Sequence, residues 1–329
     1  MSSASLLPRT SKVPPRLMRV LAIAAVVAQA GISVTGSVVR VTGSGLGCPD
    51  WPSCFPTSLV PDPRQDVALL HQWVEFGNRL LVGVVSVVAL ACLAAALATR
   101  PRNRRLTVLA AAMPAGVLAQ AVIGGFTVLM GLAWWTVSVH FLVSMVLVWL
   151  AVLLVHTAGT NTAVTHPAGG DSAPATDRPA PPHIRRLVMI CTVVLAALLT
   201  AGTMVTAAGP HAGDSKTPRL DIAVPTLAQV HADLLFCFVG LLVGLGFALH
   251  AVRASRPVQL RFRILVATVV AQGVLGGAQY ALGVPETLVS LHVLGACLVT
   301  AATAAVWAAT VAPRPAPAPT ADAATIRGE

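Results

Sequence analysis

Apolar runs of about 20 residues or more recur along this chain, and that is the length a helix needs to cross a hydrocarbon core of about 30 Å. Eight such runs are read at roughly 17–40, 71–98, 106–129, 135–157, 186–208, 228–251, 262–282 and 288–311. Only 10% of the residues are charged and the mean hydropathy is +0.79, so a water-exposed globule is excluded. Transmembrane strands would alternate polar with apolar positions, and these runs do not. The expected fold is therefore all-α and integral to a membrane.

The net charge of +10 does not point to nucleic acid, because the basic residues sit in short clusters between the apolar runs. One side collects Arg9, Lys12, Arg16 and Arg19, then Arg100, Arg102, Arg104 and Arg105. It also collects Arg178, Arg185, Arg186, Arg253, Arg256, Arg261, Arg263, Arg314 and Arg327. The other side carries Arg40, Arg64, Lys216 and Arg219, with Arg79 near a helix start. By the positive-inside rule both termini are cytoplasmic, and the expected setting is the cell membrane, crossed many times. The first run is as long as the others and no small-residue cleavage site follows it, so it reads as a helix and not as a signal peptide. The expected division is a cytoplasmic N-terminus at 1–16, a four-helix half at 17–158 and a flexible linker at 159–185. A second four-helix half follows at 186–312, and a disordered tail at 313–329.

The two halves echo each other. Ala119-Gln120-Ala121-Val122-Ile123-Gly124-Gly125 returns as Ala271-Gln272-Gly273-Val274-Leu275-Gly276-Gly277. Each glutamine has a histidine at the same later position, Gln120 with His140 and Gln272 with His292, and Asn78 aligns with His231. Both halves start on the same side, so the expected arrangement is a parallel repeat with a pseudo-two-fold axis along the membrane normal.

Ionisable and metal-ligating side chains inside apolar spans are costly, and they are the candidates for chemistry. His231 and His292 sit at similar depth on two helices of one bundle, which is a common way to hold a haem iron from both sides; an interhelical hydrogen-bonded pair is the alternative. Gly124, Gly125, Gly276 and Gly277 thin two helices, either for a flat macrocycle or simply for close packing. In the first half His71, Glu75 and Asn78 share one helix face. Glu75 is read either as a chemical group or as the i,i+4 partner of Arg79. The outer loop holds Cys48 and Cys54, read as a disulfide pair before a zinc site because further ligands are missing nearby. Cys92, Cys191, Cys237 and Cys297 are expected to be packing residues. Arg40 and Arg79 are cations for haem propionates or, equally, interfacial anchors.

With Thr42-Gly43-Ser44-Gly45-Leu46-Gly47-Cys48, Trp51-Pro52, Cys54, Glu75-Phe76-Gly77-Asn78-Arg79, the two Gln-to-His segments and His231, the chain resembles haem A synthases of the actinobacterial type, over about 17–311. The resemblance implies eight transmembrane helices and oxidation of a methyl group of haem O to the formyl group of haem A for aa3-type terminal oxidases. Two successive hydroxylations, giving a gem-diol that loses water, are implied. It implies a haem b cofactor between His231 and His292, and a substrate haem in the first half with His140 as axial ligand and Glu75 as catalytic carboxylate. It also implies paired Cys48 and Cys54. Implied partners are haem O itself, haem O synthase and terminal-oxidase pathway proteins, membrane lipid, and an electron donor or acceptor such as quinone. The sequence departs from the family's Glu-x-x-His pattern at Asn78, and His71 stands about 10 Å away along the helix, too far to substitute as ligand. Two other classes fit less of the chain: a b-type cytochrome that only carries electrons, and a haem-free transporter built on repeats.

Overall fold

The computed structural model describes residues 13–164 and 180–311. Arg9, Lys12, Arg178, Arg314 and Arg327, most of the expected linker and the expected tail lie outside the described residues. Among the described residues there are eight helices: α1 Pro15–Val41, α2 Leu69–Ala98, α3 Arg104–Leu129, α4 Trp134–Val164, α5 Pro182–Ala208, α6 Val224–Ala251, α7 Arg256–Ala281 and α8 Glu286–Thr310. All eight are long and apolar enough to cross a membrane, and no strand occurs among the described residues. The chain is an all-helical, multi-pass membrane protein.

Several helices start earlier than their apolar runs. Proline occupies one of the first two positions of α1, α5, α6 and α7, where its fixed φ suits a helix and its missing N–H costs nothing. The expected starts at 186, 228 and 262 were set by hydropathy alone and missed these polar first turns. For the same reason α4 continues to Val164, past the expected end at 157. At its other end, Asn103 opens α3, its side chain accepting from the Leu106 amide at 3.1 Å. Glu286 falls in the first turn of α8, ahead of the apolar run that begins at 288.

Each set of four helices encloses its own core. Met18, Ala22 and Ala25 of α1 meet Ala89 and Cys92 of α2, Ala110 and Met113 of α3, and Ala151 and Leu154 of α4. The second core joins Val188 and Leu195 of α5, Phe238 and Leu242 of α6, Leu265 of α7 and Val306 of α8. Small residues recur at the closest crossings, as they must where hydrocarbon solvent offers no hydrophobic drive and packing alone holds helices together. Apolar side chains such as Val20, Val27, Val87, Phe236 and Phe247 face outward, as a lipid-facing surface requires. Cys92, Cys191 and Cys297 are buried as expected, but Cys237 is exposed on the outer surface of α6.

The cores meet along a seam in which α8 packs against α1 and α4, and α4 against α5. Its centre holds Met145, Val148 and Cys297, and Thr300 donates to the Met145 sulfur at 3.7 Å. At the loop end the Gly45 amide donates to the Gly213 carbonyl at 2.9 Å, joining the α1–α2 loop to the α5–α6 loop, with Leu132 packed against both glycines. The turns after α3 and α7 have the same form. Gly131 and Leu132, like Gly283 and Val284, take positive φ, and Leu132 and Val284 donate to the carbonyls of Thr127 and Gln279. The halves differ at one crossing, where α6 and α7 part around an apolar groove of about 450 Å³ lined by Leu242, Phe247, His250, Phe262 and Val269 among others.

Overpacking a closed crossing is costly where an exposed face is indifferent. Ala22→Leu, at a fully buried position, is expected to destabilise by about 1–3 kcal/mol. Val20→Leu, on the exposed face, is expected to stay within about 0.5 kcal/mol. Thermal unfolding in detergent compares the two.

Candidate functional site

The first turns of α2 are built to receive the loop that precedes them. Cys48 and Cys54 are joined by a disulfide, which closes a short ring within that loop. Gly47 passes so close to the α2 backbone that an added Cβ would collide with the His71 carbonyl, so only glycine fits there. The fully buried Gln72 donates to the carbonyls of Val67 and Asp62 at 2.7 and 3.2 Å and accepts from the Asp62 amide at 2.8 Å. In the loop itself, the Arg64 guanidinium bonded to Asp62 holds that carboxyl below the usual carboxylate range.

Glu75 is 5% exposed and fully engaged. One oxygen accepts from the Cys48 amide at 2.7 Å and the other from Arg79 at 2.6 Å. Arg79 also donates to the carbonyls of Cys48, Asp50 and Ser53 at 2.6, 2.9 and 3.0 Å. The i,i+4 pairing read from the sequence is therefore present, and the guanidinium is committed to Glu75 and the loop backbone. His71 bonds Ser44 Oγ through Nδ1 at 2.8 Å, which places it with the loop and away from Asn78.

The histidines stand in the first two or three turns of α4, α6 and α8, all near the same loop end, and Asn78 takes the corresponding place in α2. Each ring lies on a glycine of the neighbouring helix. An added Cβ would come within 3.2 Å of His140 at Gly124, and within 3.0 Å of His231 at Gly202 and of His292 at Gly276. Gly36 faces Asn78 in the same manner at 4.0 Å. Of the remaining glycines singled out from the sequence, Gly125 lies under the Trp51 indole and Gly277 faces open space. Gly36 and Gly202 were not found from the sequence; their signal was a glycine recurring in α1 and α5, visible only once the partner helix is known.

Paired glutamines brace two of the histidine positions from behind. Gln120 donates to the His140 carbonyl at 3.0 Å and to Ser144 at 2.6 Å, and Gln272 donates to the His292 carbonyl at 2.9 Å. The His231 and His292 rings stand 6.3 Å apart between centroids. His231 Nδ1 is bonded to the Leu198 carbonyl at 3.0 Å, which leaves Nε2 for another partner, while Nδ1 of His140 and of His292 is buried without one. Two imidazoles on opposite sides of one metal would be about 6 Å apart, given metal–nitrogen bonds of ~2.0 Å. Among the described residues no group of three His, Cys, Asp or Glu side chains could hold a bare metal ion. A pair without further ligands suits haem iron, for which the macrocycle brings the other four. In the first half His140 has no histidine opposite; Asn78 is there, its Oδ1 accepting from Thr35 Oγ1 at 2.7 Å.

The family model of cytochrome oxidase assembly proteins, COX15-CtaA, matches residues 19–217. The chain belongs to this family. It is similar to the heme A synthase of Geobacillus kaustophilus (strain HTA426), 32% identical over 148 residues, which cover 43% of this chain and 44% of that relative. It is also similar to the heme A synthase of Shewanella oneidensis, 27% identical over 135 residues, 37% of this chain and 40% of the relative. A shorter match, 38% identical over 53 residues and 16% of each chain, joins it to the heme A synthase of Lysinibacillus sphaericus (strain C3-41). In each match the chain spans less than half the length of the curated relative. The family match contains the disulfide loop, Glu75, Asn78 and His140, and ends before His231 and His292.

Arg79 holds the loop to Glu75, so its loss leaves a buried carboxylate with one donor. Arg79→Ala is expected to lower stability by about 3 kcal/mol. Arg79→Lys should recover only part of it, because one ammonium cannot span Glu75 and three carbonyls. Melting temperatures of the three proteins in one detergent give the comparison.

Proposed function

We propose that this protein is a haem A synthase, which oxidises a methyl group of haem O to the formyl group of haem A for terminal oxidase assembly. The observation that carries the proposal is Glu75, a buried carboxylate locked between the disulfide loop and Arg79 at the loop end of the half that also presents His140. Membership of an oxidase assembly family supports it. The first half takes the substrate haem, with His140 as axial ligand. Asn78 stands where the second half has His231, and a neutral amide already bonded to Thr35 leaves the substrate iron with one strong protein ligand. Glu75 takes up a proton or steadies positive charge developing at the methyl carbon, and its fixed partners keep the carboxylate from swinging away. The loop over the site, with Trp51 on Gly125, excludes water from the reacting edge.

His231 and His292 would hold haem b, which when bound supplies a one-electron relay. The residues themselves set its seat: Leu198 orients the His231 ring, Gln272 fixes the backbone of His292, and Gly202 and Gly276 give the rings room. The matching turns, glutamines and glycines support descent of the two halves, 17–158 and 186–312, from one duplicated bundle joined through 159–185. The arginine clusters support a cell-membrane setting with both termini and that linker on the cytoplasmic side, an orientation in which the site lies at the outer end of the helices. Haem O synthase, an oxidase subunit and a quinone-type electron partner are the proteins and cofactor classes this role requires nearby.

The test is expression in a membrane host that makes haem O but no haem A, followed by haem extraction. Haem A should appear only with the intact protein. Glu75→Ala should abolish it while haem b stays bound, and loss of both haems together would make Glu75 structural. In Asn78→His the substrate haem should shift to a six-coordinate, low-spin spectrum, and an unchanged spectrum would remove Asn78 from the axial position.

A further inference from the structure

Arg40 has no acidic partner among the described residues. Its guanidinium makes no hydrogen bond or ion pair with any described residue, and Nε is out of contact with solvent. A second cation, Arg219 of the α5–α6 loop, acts on it electrostatically. Arg219 is held by the Gly209 carbonyl. Thr217 of the same loop presents a second buried polar atom without a partner, Oγ1, and it shares a small cavity with Arg40, Trp134, Val137 and Pro218. A guanidinium nitrogen and a hydroxyl buried without partners at one small cavity, with the exposed Arg219 as a second cation at its rim and no carboxylate bonded to either arginine, are costly until an anion completes the set.

The position of the cavity narrows what that anion is. Arg40 stands one turn beyond Gly36, the glycine that faces Asn78. Val137 stands one turn beyond His140 toward the same loop end. Two helices thus place the cavity directly outward of the first-half pocket, and its far wall comes from the second half. We propose that Arg40, Arg219 and Thr217 form an oxyanion site across the seam, which takes a propionate carboxylate of the porphyrin bound in the first half. This rests on the reading of that half as a haem pocket. A phospholipid phosphate has the same chemistry and is the competing source.

The experiment is a Soret titration of the full-length protein in detergent with ferric protohaem and with its dimethyl ester, in which both carboxylates are masked. The binding phase removed by His140→Ala defines the first-half pocket. The wild type should prefer the free acid in that phase by tenfold or more, the scale of a charge-assisted bond. In Arg40→Gln the acid should fall to the affinity of the ester, with ester affinity unchanged, which shows that the pocket itself is intact. Thr217→Val and Arg219→Gln should move the same way by less, and they carry the test if Arg40→Gln fails to fold. Equal binding of acid and ester by the wild type overturns the proposal, as does an Arg40→Gln protein that weakens both alike. Phosphorus analysis adds the last arm: a phospholipid retained by the wild type and released by Arg40→Gln, with the acid preference intact, assigns the oxyanion to lipid and overturns the carboxylate. An acid preference that depends on Arg40 but not on His140 would sustain the oxyanion site and remove the ligand assignment beneath it.

Discussion

Inside hydrocarbon a polar group has no water to fall back on, and each one left without a partner is costly. This requirement organises the molecule. Backbone groups meet it by forming helices. Serines and threonines along the helices meet it through carbonyls of the preceding turn, and the polar side chains of the candidate site meet it at one end of the bundle, where loops can bring their own amides and carbonyls. Glu75 is the centre of that arrangement. Its burial is tolerable because the Cys48 amide and Arg79 reach it, Arg79 is satisfied because loop carbonyls surround it, and the loop is shaped for this by the disulfide and by Gly47.

The parts of the fold that depend on local composition were legible in the sequence. Eight apolar runs gave eight helices, and the recurrence of Gln120 and Gln272 before His140 and His292 pointed to corresponding structure, which appears as the same side-chain-to-backbone bond in both places. Helix starts were misread because hydropathy is blind to a polar first turn, whereas proline at the first positions marked it. The candidate site was legible in its titratable members and illegible in its support. Glu75 and Arg79 could be paired from spacing alone. Gln72, Ser44 and Thr35 could not be found that way, because their partners come from distant segments. Arg40 and Arg79 looked alike in the sequence, two outward cations, yet one is saturated with acceptors and the other has none.

The seam gives the two halves different relations to each other at different depths. At mid-membrane it is an apolar contact of Met145, Val148 and Cys297, on the two helices that carry His140 and His292. At the loop end it becomes polar, through Gly45 and Gly213 and the residues around Arg40. The halves are therefore not interchangeable copies. Among the described residues α6 and α7 part around a groove where α2 and α3 stay packed, and the disulfide loop lies in the first half.

The glycines beneath the histidines have a consequence beyond space-filling. A ring that rests on main chain takes its direction from the neighbouring helix as a rigid body, with no intervening side chain to absorb an error. The angle of His292 is thereby tied to the spacing of α7 from α8, and that of His231 to the spacing of α5 from α6. Packing against neighbouring helices sets helix tilt and rotation in a bilayer. A change at either crossing, even one remote from the site, would thus turn an imidazole without touching it.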